Sequence, residues 1–205
     1  AEGTLCLLKP GEKSTFFKAM VVLYINYKYN ERKKMISKID TKIPKETNRR
    51  IINELYSLKT WFFGFDKDKK DIFNKQDSGF SSITFIENEF FHNSDILNTY
   101  AQVIFDTVQK NSLMKFKKIV RINWNWYHSN SITKYHSDNE KDNSFSIVYN
   151  LHDNDGGTEF EINDKTTLHK SIESEALLFP SKVSHRGVAP KTSLNRFSLN
   201  IILEI

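Results

Sequence analysis

The sequence predicts a mainly β chain of the α+β class, in which N-terminal helices pack against a sandwich or barrel of short strands. Three observations carry that expectation. Apolar residues at helical spacing stop at about Met114, an alternation of period two takes over from Lys118, and turn residues separate the alternating segments.

The helical part comes first. Pro44 suits the opening turn of a helix, and Ile51, Ile52, Leu55 and Leu58 follow on one stripe. Asn93 or Ser94 can cap a second helix, with Leu97, Tyr100, Ala101, Ile104 and Val108 on its apolar face. Both stripes read as packing surfaces. Residues 20–29 are apolar and aromatic enough for a strand, and Trp61-Phe62-Phe63-Gly64-Phe65 reads as a seam between helices and barrel.

From Lys118 the period changes. Val120, Ile122, Trp124 and Trp126 alternate with Arg121, Asn123 and Asn125, the pattern of a half-buried strand with its tryptophans packed inside. Further strands are expected over 131–136, 145–151, 158–162, 166–171, 176–179, 183–188 and 196–203, with turns at Asp155-Gly156-Gly157 and Asn163-Asp164. At 205 residues the chain supports one well-buried core. It is therefore expected to be a single domain over 1–205, with 1–117 as a supporting region and 118–205 as the part that carries the chemistry.

Several function classes are excluded. Cys6 is the only cysteine, so a disulfide within the chain and a cysteine-built zinc or iron–sulfur site are ruled out. No apolar run has the length of a membrane span, and no secretory signal pattern opens the sequence, so an intracellular, cytoplasmic protein without a membrane partner is expected. The net charge of +5 would suit a nucleic-acid partner. The general richness in Lys, Asn and Ile accounts for that charge equally well.

The chemistry concentrates around His136-Ser137-Asp138. On a strand, residues two apart point the same way with α-carbons roughly 6–7 Å apart, so imidazole and carboxylate would converge. A second histidine on a neighbouring strand would complete two imidazoles and one carboxylate on one face of a metal, leaving the other face open. His185 follows the buried-looking segment Ala176-Leu-Leu-Phe-Pro180, and Arg196 opens the alternating segment Arg196-Phe-Ser-Leu-Asn-Ile-Ile. Arg196 and Ser198 share a face there, and a guanidinium fork with a hydroxyl is a good receptor for a carboxylate. Taken singly, a surface arginine or a core histidine is the ordinary reading of each; the ordered set is what raises them.

Tyr135-His-Ser-Asp138, Gly156-Gly-Thr-Glu-Phe160, Leu177-Leu-Phe-Pro180, His185-Arg-Gly187 and Asn195-Arg-Phe-Ser198 together resemble the Fe(II)/2-oxoglutarate-dependent oxygenases. The glycine-bearing segment and the short chain are similar to the prolyl-hydroxylase-like members, including small ones encoded by bacteriophages. The resemblance covers roughly Lys118 to the C-terminus and implies a double-stranded β-helix, a jelly-roll, cupin-like core. It implies His136, Asp138 and His185 as ligands of Fe(II) and Arg196 as the grip on the distal carboxylate of 2-oxoglutarate, with Ser198 assisting. Those four residues are then the catalytic set. O2 is the co-substrate, with ascorbate as an optional addition. The implied reaction is hydroxylation coupled to decarboxylation of 2-oxoglutarate to succinate, on a protein or peptide substrate with a prolyl side chain first.

An alternative is a nucleic-acid demethylase. Asn125-Trp126-Tyr127 matches an Asn-x-Tyr pair that contacts the oxoacid in the AlkB-like alkylation-repair enzymes, at the same distance ahead of the metal-binding histidine. Those enzymes also carry a second arginine where this chain has Ile202. Tyr149 is a further candidate for the oxoacid pocket, and barrel lining is the plain reading of Asn125, Tyr127 and Tyr149. A non-catalytic metal-binding β-barrel is the remaining alternative.

Overall fold

The computed structural model describes residues 36–63, 78–86, 89–90, 94–112 and 114–205. The strand expected over 20–29 lies outside them, as do Gly64 and Phe65 of the aromatic run.

The described elements are β1 (Ser37–Asp40), α1 (Lys45–Ser57), β2 (Phe62–Phe63), β3 (Phe80–Ile86), β4 (Glu89–Phe90), α2 (Asp95–Ser112), β5 (Lys118–His128), β6 (Ser144–Asn150), β7 (Asn154–Ile162), β8 (Lys165–Ser171), β9 (Glu175–Pro180), β10 (His185–Val188) and β11 (Asn195–Glu204). Both helices start where the sequence puts them. Pro44 sits at the N-terminus of α1, and the Ser94 hydroxyl accepts the Leu97 amide at 3.3 Å to cap α2. None of the described helices is long and apolar enough to cross a membrane.

The strands form two antiparallel sheets. The larger has the order β1-β9-β6-β11-β5-β3-β2, with β4 beside β3; the smaller is β10-β7-β8. Period two divides the large sheet into two unlike faces. Ile122 and Trp124 of β5, Ile147 and Tyr149 of β6, and Phe197, Leu199, Ile201 and Leu203 of β11 form one core with Ile51 and Leu55 of α1 and Leu97, Ala101, Ile104 and Val108 of α2. Trp61 joins the edge of this core, its ring 5.6 Å from that of Trp126, while Phe62 is exposed. The opposite face carries Arg121, Asn123, Asn125 and Tyr127 of β5, Val148 of β6, and Ser198 and Asn200 of β11, and these line a cavity. The polar side of the alternation thus faces a buried chamber shared with the small sheet.

Three local expectations change. Residues 131–136 are not a strand: only His136 makes an isolated antiparallel bridge, with His185. The segment links β5 and β6 of the large sheet, and Ser78 bonds the amide and carbonyl of Ile132 within it at 2.8 and 2.7 Å. Asp155-Gly156-Gly157 is not a turn but part of β7, at an irregularity in its pairing with β8. A side chain at Gly157 would run into the His169 carbonyl of the paired strand, so close backbone approach is what demands glycine. β10 begins at His185, after a turn in which the Val183 amide bonds the Pro180 carbonyl at 3.0 Å.

Candidate active site

The cavity between the two sheets has a volume of about 400 Å³. At one end His136, Asp138 and His185 bring one donor atom each to within 4.8 Å of one another. His136 Nε2 is 3.9 Å from Asp138 Oδ1, and His185 Nε2 is 3.5 Å from Asp138 Oδ2. The convergence expected from a shared strand face is reached by other means. His136 and His185 exchange backbone hydrogen bonds of 2.9 and 3.0 Å, and the Asp138 amide is held by the Ser181 carbonyl at 2.9 Å. The rings of the two histidines lie 4.6 Å apart. Each also has its Nδ1 near a backbone carbonyl, Lys134 at 3.1 Å for His136 and Val183 at 2.8 Å for His185. That arrangement turns both Nε2 atoms toward the carboxylate.

Asp138 is 1% exposed at its side chain, and three neighbouring strands grip it. Arg121 of β5 donates to Oδ1 at 3.1 Å, Ser146 of β6 donates to Oδ2 at 2.7 Å, and Asn200 of β11 reaches both oxygens at 3.3 and 3.4 Å. Burial pushes the carboxyl up most strongly, but His185, Arg121, His136 and the Ser146 hydroxyl together outweigh it and hold it below the usual carboxylate range. Burial pushes the His185 imidazole down, against the pull of Asp138. The burial of His185 works toward the neutral imidazole that metal binding requires.

Arg196 does not itself line the cavity but lies behind Tyr127 and Thr158, which do. It is 1% exposed, and burial lowers its pKa against the opposing influence of Tyr127. Its Nη2 meets the Asn150 and Thr158 oxygens at 3.4 and 3.3 Å, and its guanidinium lies 4.8 Å from the Tyr127 ring centre. The hydroxyl of Ser198 has no hydrogen-bond partner, and Nε and Nη1 of Arg196 have none besides the Tyr127 side chain. Buried donors of this kind are costly unless a ligand satisfies them. Gly187 of β10 faces Tyr127 so closely that any side chain there would collide with the phenol ring.

Asn125 and Tyr127 line the cavity with Ser198, and Asn125 accepts a hydrogen bond from Asn123 at 2.7 Å. Tyr149 does not. It is fully buried in the helix-facing core, and its hydroxyl donates to Asn48 of α1 at 2.7 Å. On β6 the cavity side belongs to Ser146, Val148 and Asn150, so a residue of odd number points the other way. His152 packs near Phe197 at the Arg196 end, and His128 near Phe80; neither lines the chamber. Arg121, Ser146, Asn150, Thr158 and Asn200 escaped the sequence reading. The alternation on β5 and β11 was the available signal for Arg121 and Asn200, since it puts them on the faces of Asn125 and Arg196.

The same architecture recurs among solved structures. One is a prolyl hydroxylase from Trichoplax adhaerens in complex with a hypoxia-inducible-factor peptide fragment, with 12% identity, a TM-score of 0.64, and coverage of 96% of this chain and 94% of that one. A Pseudomonas putida prolyl-4-hydroxylase matches at 12% identity and a TM-score of 0.61, over 83% of this chain and 93% of its own. The fold is shared with a solved structure of the 2OG-Fe(II) oxygenase family from Burkholderia pseudomallei. Another match is HygX from Streptomyces hygroscopicus with nickel, 2-oxoglutarate and hygromycin B bound, at 9% identity and a TM-score of 0.60, over 83% and 82% of the two chains. No protein-family profile matches the sequence, and no curated protein matches it. At these identities the likeness establishes architecture.

Proposed function

We propose that this chain is an Fe(II)- and 2-oxoglutarate-dependent hydroxylase. The observation that carries the reading is the pairing of two features around one cavity: a His-Asp-His donor set in its lining, and a buried arginine just behind Tyr127 and Thr158 of its wall that has no carboxylate partner among the described residues. Two imidazoles and one carboxylate suit Fe(II) with coordination positions left open. A guanidinium without a carboxylate partner suits the distal carboxylate of an oxoacid.

In this reading His136, Asp138 and His185 hold the metal. Arg196 and Ser198 bind the far carboxylate of 2-oxoglutarate, and Asn125 and Tyr127 flank its path. Bound Fe(II) with 2-oxoglutarate and O2 supplies the oxidising chemistry, in which the oxoacid becomes succinate and carbon dioxide as the substrate is hydroxylated. The chain itself does the positioning. Arg121, Ser146 and Asn200 fix the plane of the Asp138 carboxylate, and the carbonyls of Lys134 and Val183 orient the two imidazoles.

A prolyl side chain on a protein or peptide is the first substrate class, supported by the two prolyl-hydroxylase likenesses, one of which holds a peptide. A polar small molecule is the second reading. The likeness to a protein with hygromycin B bound supports it, as does a chamber lined mainly by hydroxyl, amide and charged side chains. The test of the class is anaerobic titration of Fe(II) and 2-oxoglutarate followed by visible absorption. A metal-to-oxoacid charge-transfer band is expected, and a well-folded protein without it sinks the proposal. Succinate release with prolyl peptides against polar small molecules then ranks the substrates.

A further inference from the structure

The protein charges around the donor set are unusual for a place that must attract a divalent cation. Asp138 is the only acidic residue lining the chamber among the described residues, whereas Arg121 and Lys134 both line it as cations. Glu159 sits outside the lining, bonded to the Tyr135 hydroxyl at 2.6 Å and paired with Arg186 at 2.6 Å; Glu140 is engaged by Ser137. The one available carboxylate is already ion-paired, Arg121 Nη2 to Asp138 Oδ1 at 3.1 Å, with side-chain exposures of 19% and 1%. Farther in, Arg196 adds a fully buried positive charge, and none of the ion pairs among the described residues reaches it. In a partly dehydrated chamber such charges act over several ångströms with little screening.

Resting on the hydroxylase reading, we infer that Arg121 couples the metal to the oxoacid by cancelling the charge of Asp138. With Arg121 in place, the donor set has geometry for a divalent cation but almost no net negative charge to hold it. The oxoacid dianion supplies what is missing. It brings negative charge to the metal end through its keto-carboxylate and to the Arg196 end through its distal carboxylate. Metal and oxoacid therefore bind tightly only together, and by linkage each raises the affinity of the other by the same factor. Arg121 also draws electron density from the carboxylate, making Asp138 a weaker donor than an unpaired one. It acts through Asp138 and is a positioning and charge-setting residue.

The test measures Mn(II) affinity by calorimetry with and without saturating 2-oxoglutarate, on wild type, Arg121→Gln, Arg121→Met and Arg121→Lys, with thermal unfolding to confirm the fold of each. For wild type, the oxoacid is expected to raise Mn(II) affinity by roughly 100-fold, within the usual range of coupling between sites. Either neutral variant is expected to bind Mn(II) alone about tenfold tighter and to lose about tenfold of the coupling, on the order of one charge interaction in a partly hydrated site. Arg121→Lys keeps the charge and is expected to keep the wild-type coupling. The inference is overturned if folded neutral variants bind Mn(II) no tighter than wild type, or if Arg121→Lys behaves like them; the arginine would then only align the carboxylate. A wild type that binds no Mn(II) even with the oxoacid present overturns the hydroxylase reading and this inference with it. A normal wild-type coupling with unchanged variants overturns this inference alone.

Discussion

The two faces of the large sheet are made from alternate residues of the same strands, yet they obey different rules. On β11, the side chains of Phe197, Leu199, Ile201 and Leu203 pack into the apolar core that the sheet shares with the helices. Arg196, Ser198 and Asn200, one residue out of phase, turn to the other side, where Ser198 and Asn200 line the chamber and Ser198 Oγ and Asn200 Oδ1 go unsatisfied. The first face supplies the stability that the second uses up. A buried guanidinium with idle donors opposes folding, and the apolar face offsets it by removing large side chains from water.

The most severe break of the chamber face is Asp138→Ala. It removes the only carboxylate of the donor set and leaves Arg121 without its partner. Mn(II) affinity is expected to fall by more than the roughly 100-fold that loss of an outer hydrogen bond costs, while a cooperative thermal transition shows the helix-facing side intact. Retained metal binding would move the metal site elsewhere.

Leu199→Ala strikes the other face next door. Leu199 is fully buried against the helices, so the expected loss is about 2–5 kcal/mol in denaturant titration, from transfer and cavity terms together. Oxoacid affinity of the folded protein should hardly change. Ser198→Ala, its chain neighbour, should do the reverse, with stability within about 1 kcal/mol of wild type and 2-oxoglutarate about tenfold weaker. A large stability loss at Ser198 would erase the distinction between the faces.

That distinction was only half legible in the sequence. The alternation on β5 and β11 was plain, and it correctly put Trp124 among the packing residues. What period two does not say is what each face meets. Arg121, Asn123 and Asn125 have the composition of a solvated face, and only the small sheet lying opposite turns that face into an interior. The grip on Asp138 was hidden for a related reason. Arg121, Ser146 and Asn200 lie on three strands, and the order β6-β11-β5 that brings them together is set by long-range pairing that no local pattern encodes. His136 and Asp138 were readable as a motif. Their shared strand was not there, because the chain at that point is the connection between β5 and β6, paired only through the His136–His185 bridge.

Arg196→Met tests whether the buried charge is kept for binding at the expense of folding. Methionine fills similar space without idle donors, so stability is expected to stay level or rise by about 1 kcal/mol. Affinity for 2-oxoglutarate should drop by about 100-fold, the worth of two charge-assisted hydrogen bonds. Calorimetric binding and thermal unfolding on one preparation read both effects. A strongly destabilised variant with normal oxoacid affinity would make Arg196 a structural post between β11, Asn150 and Thr158.

The smallest expected effect separates two tyrosines that the sequence placed together. Tyr149 lies on the helix side, and its hydroxyl bonds Asn48 at 2.7 Å in a network that continues to Ser174 at 2.9 Å. Tyr149→Phe leaves the Asn48 oxygen short of a buried donor, a loss of about 1–2 kcal/mol in stability. No change in 2-oxoglutarate affinity is expected, because the sheet stands between that hydroxyl and the chamber. Tyr127→Phe should show the opposite balance, since Tyr127 lines the chamber beside Arg196 and its loss is felt by the ligand. Oxoacid binding that weakens in Tyr149→Phe but not in Tyr127→Phe would mean that the faces communicate through the sheet, with α1 acting on the site by way of Asn48.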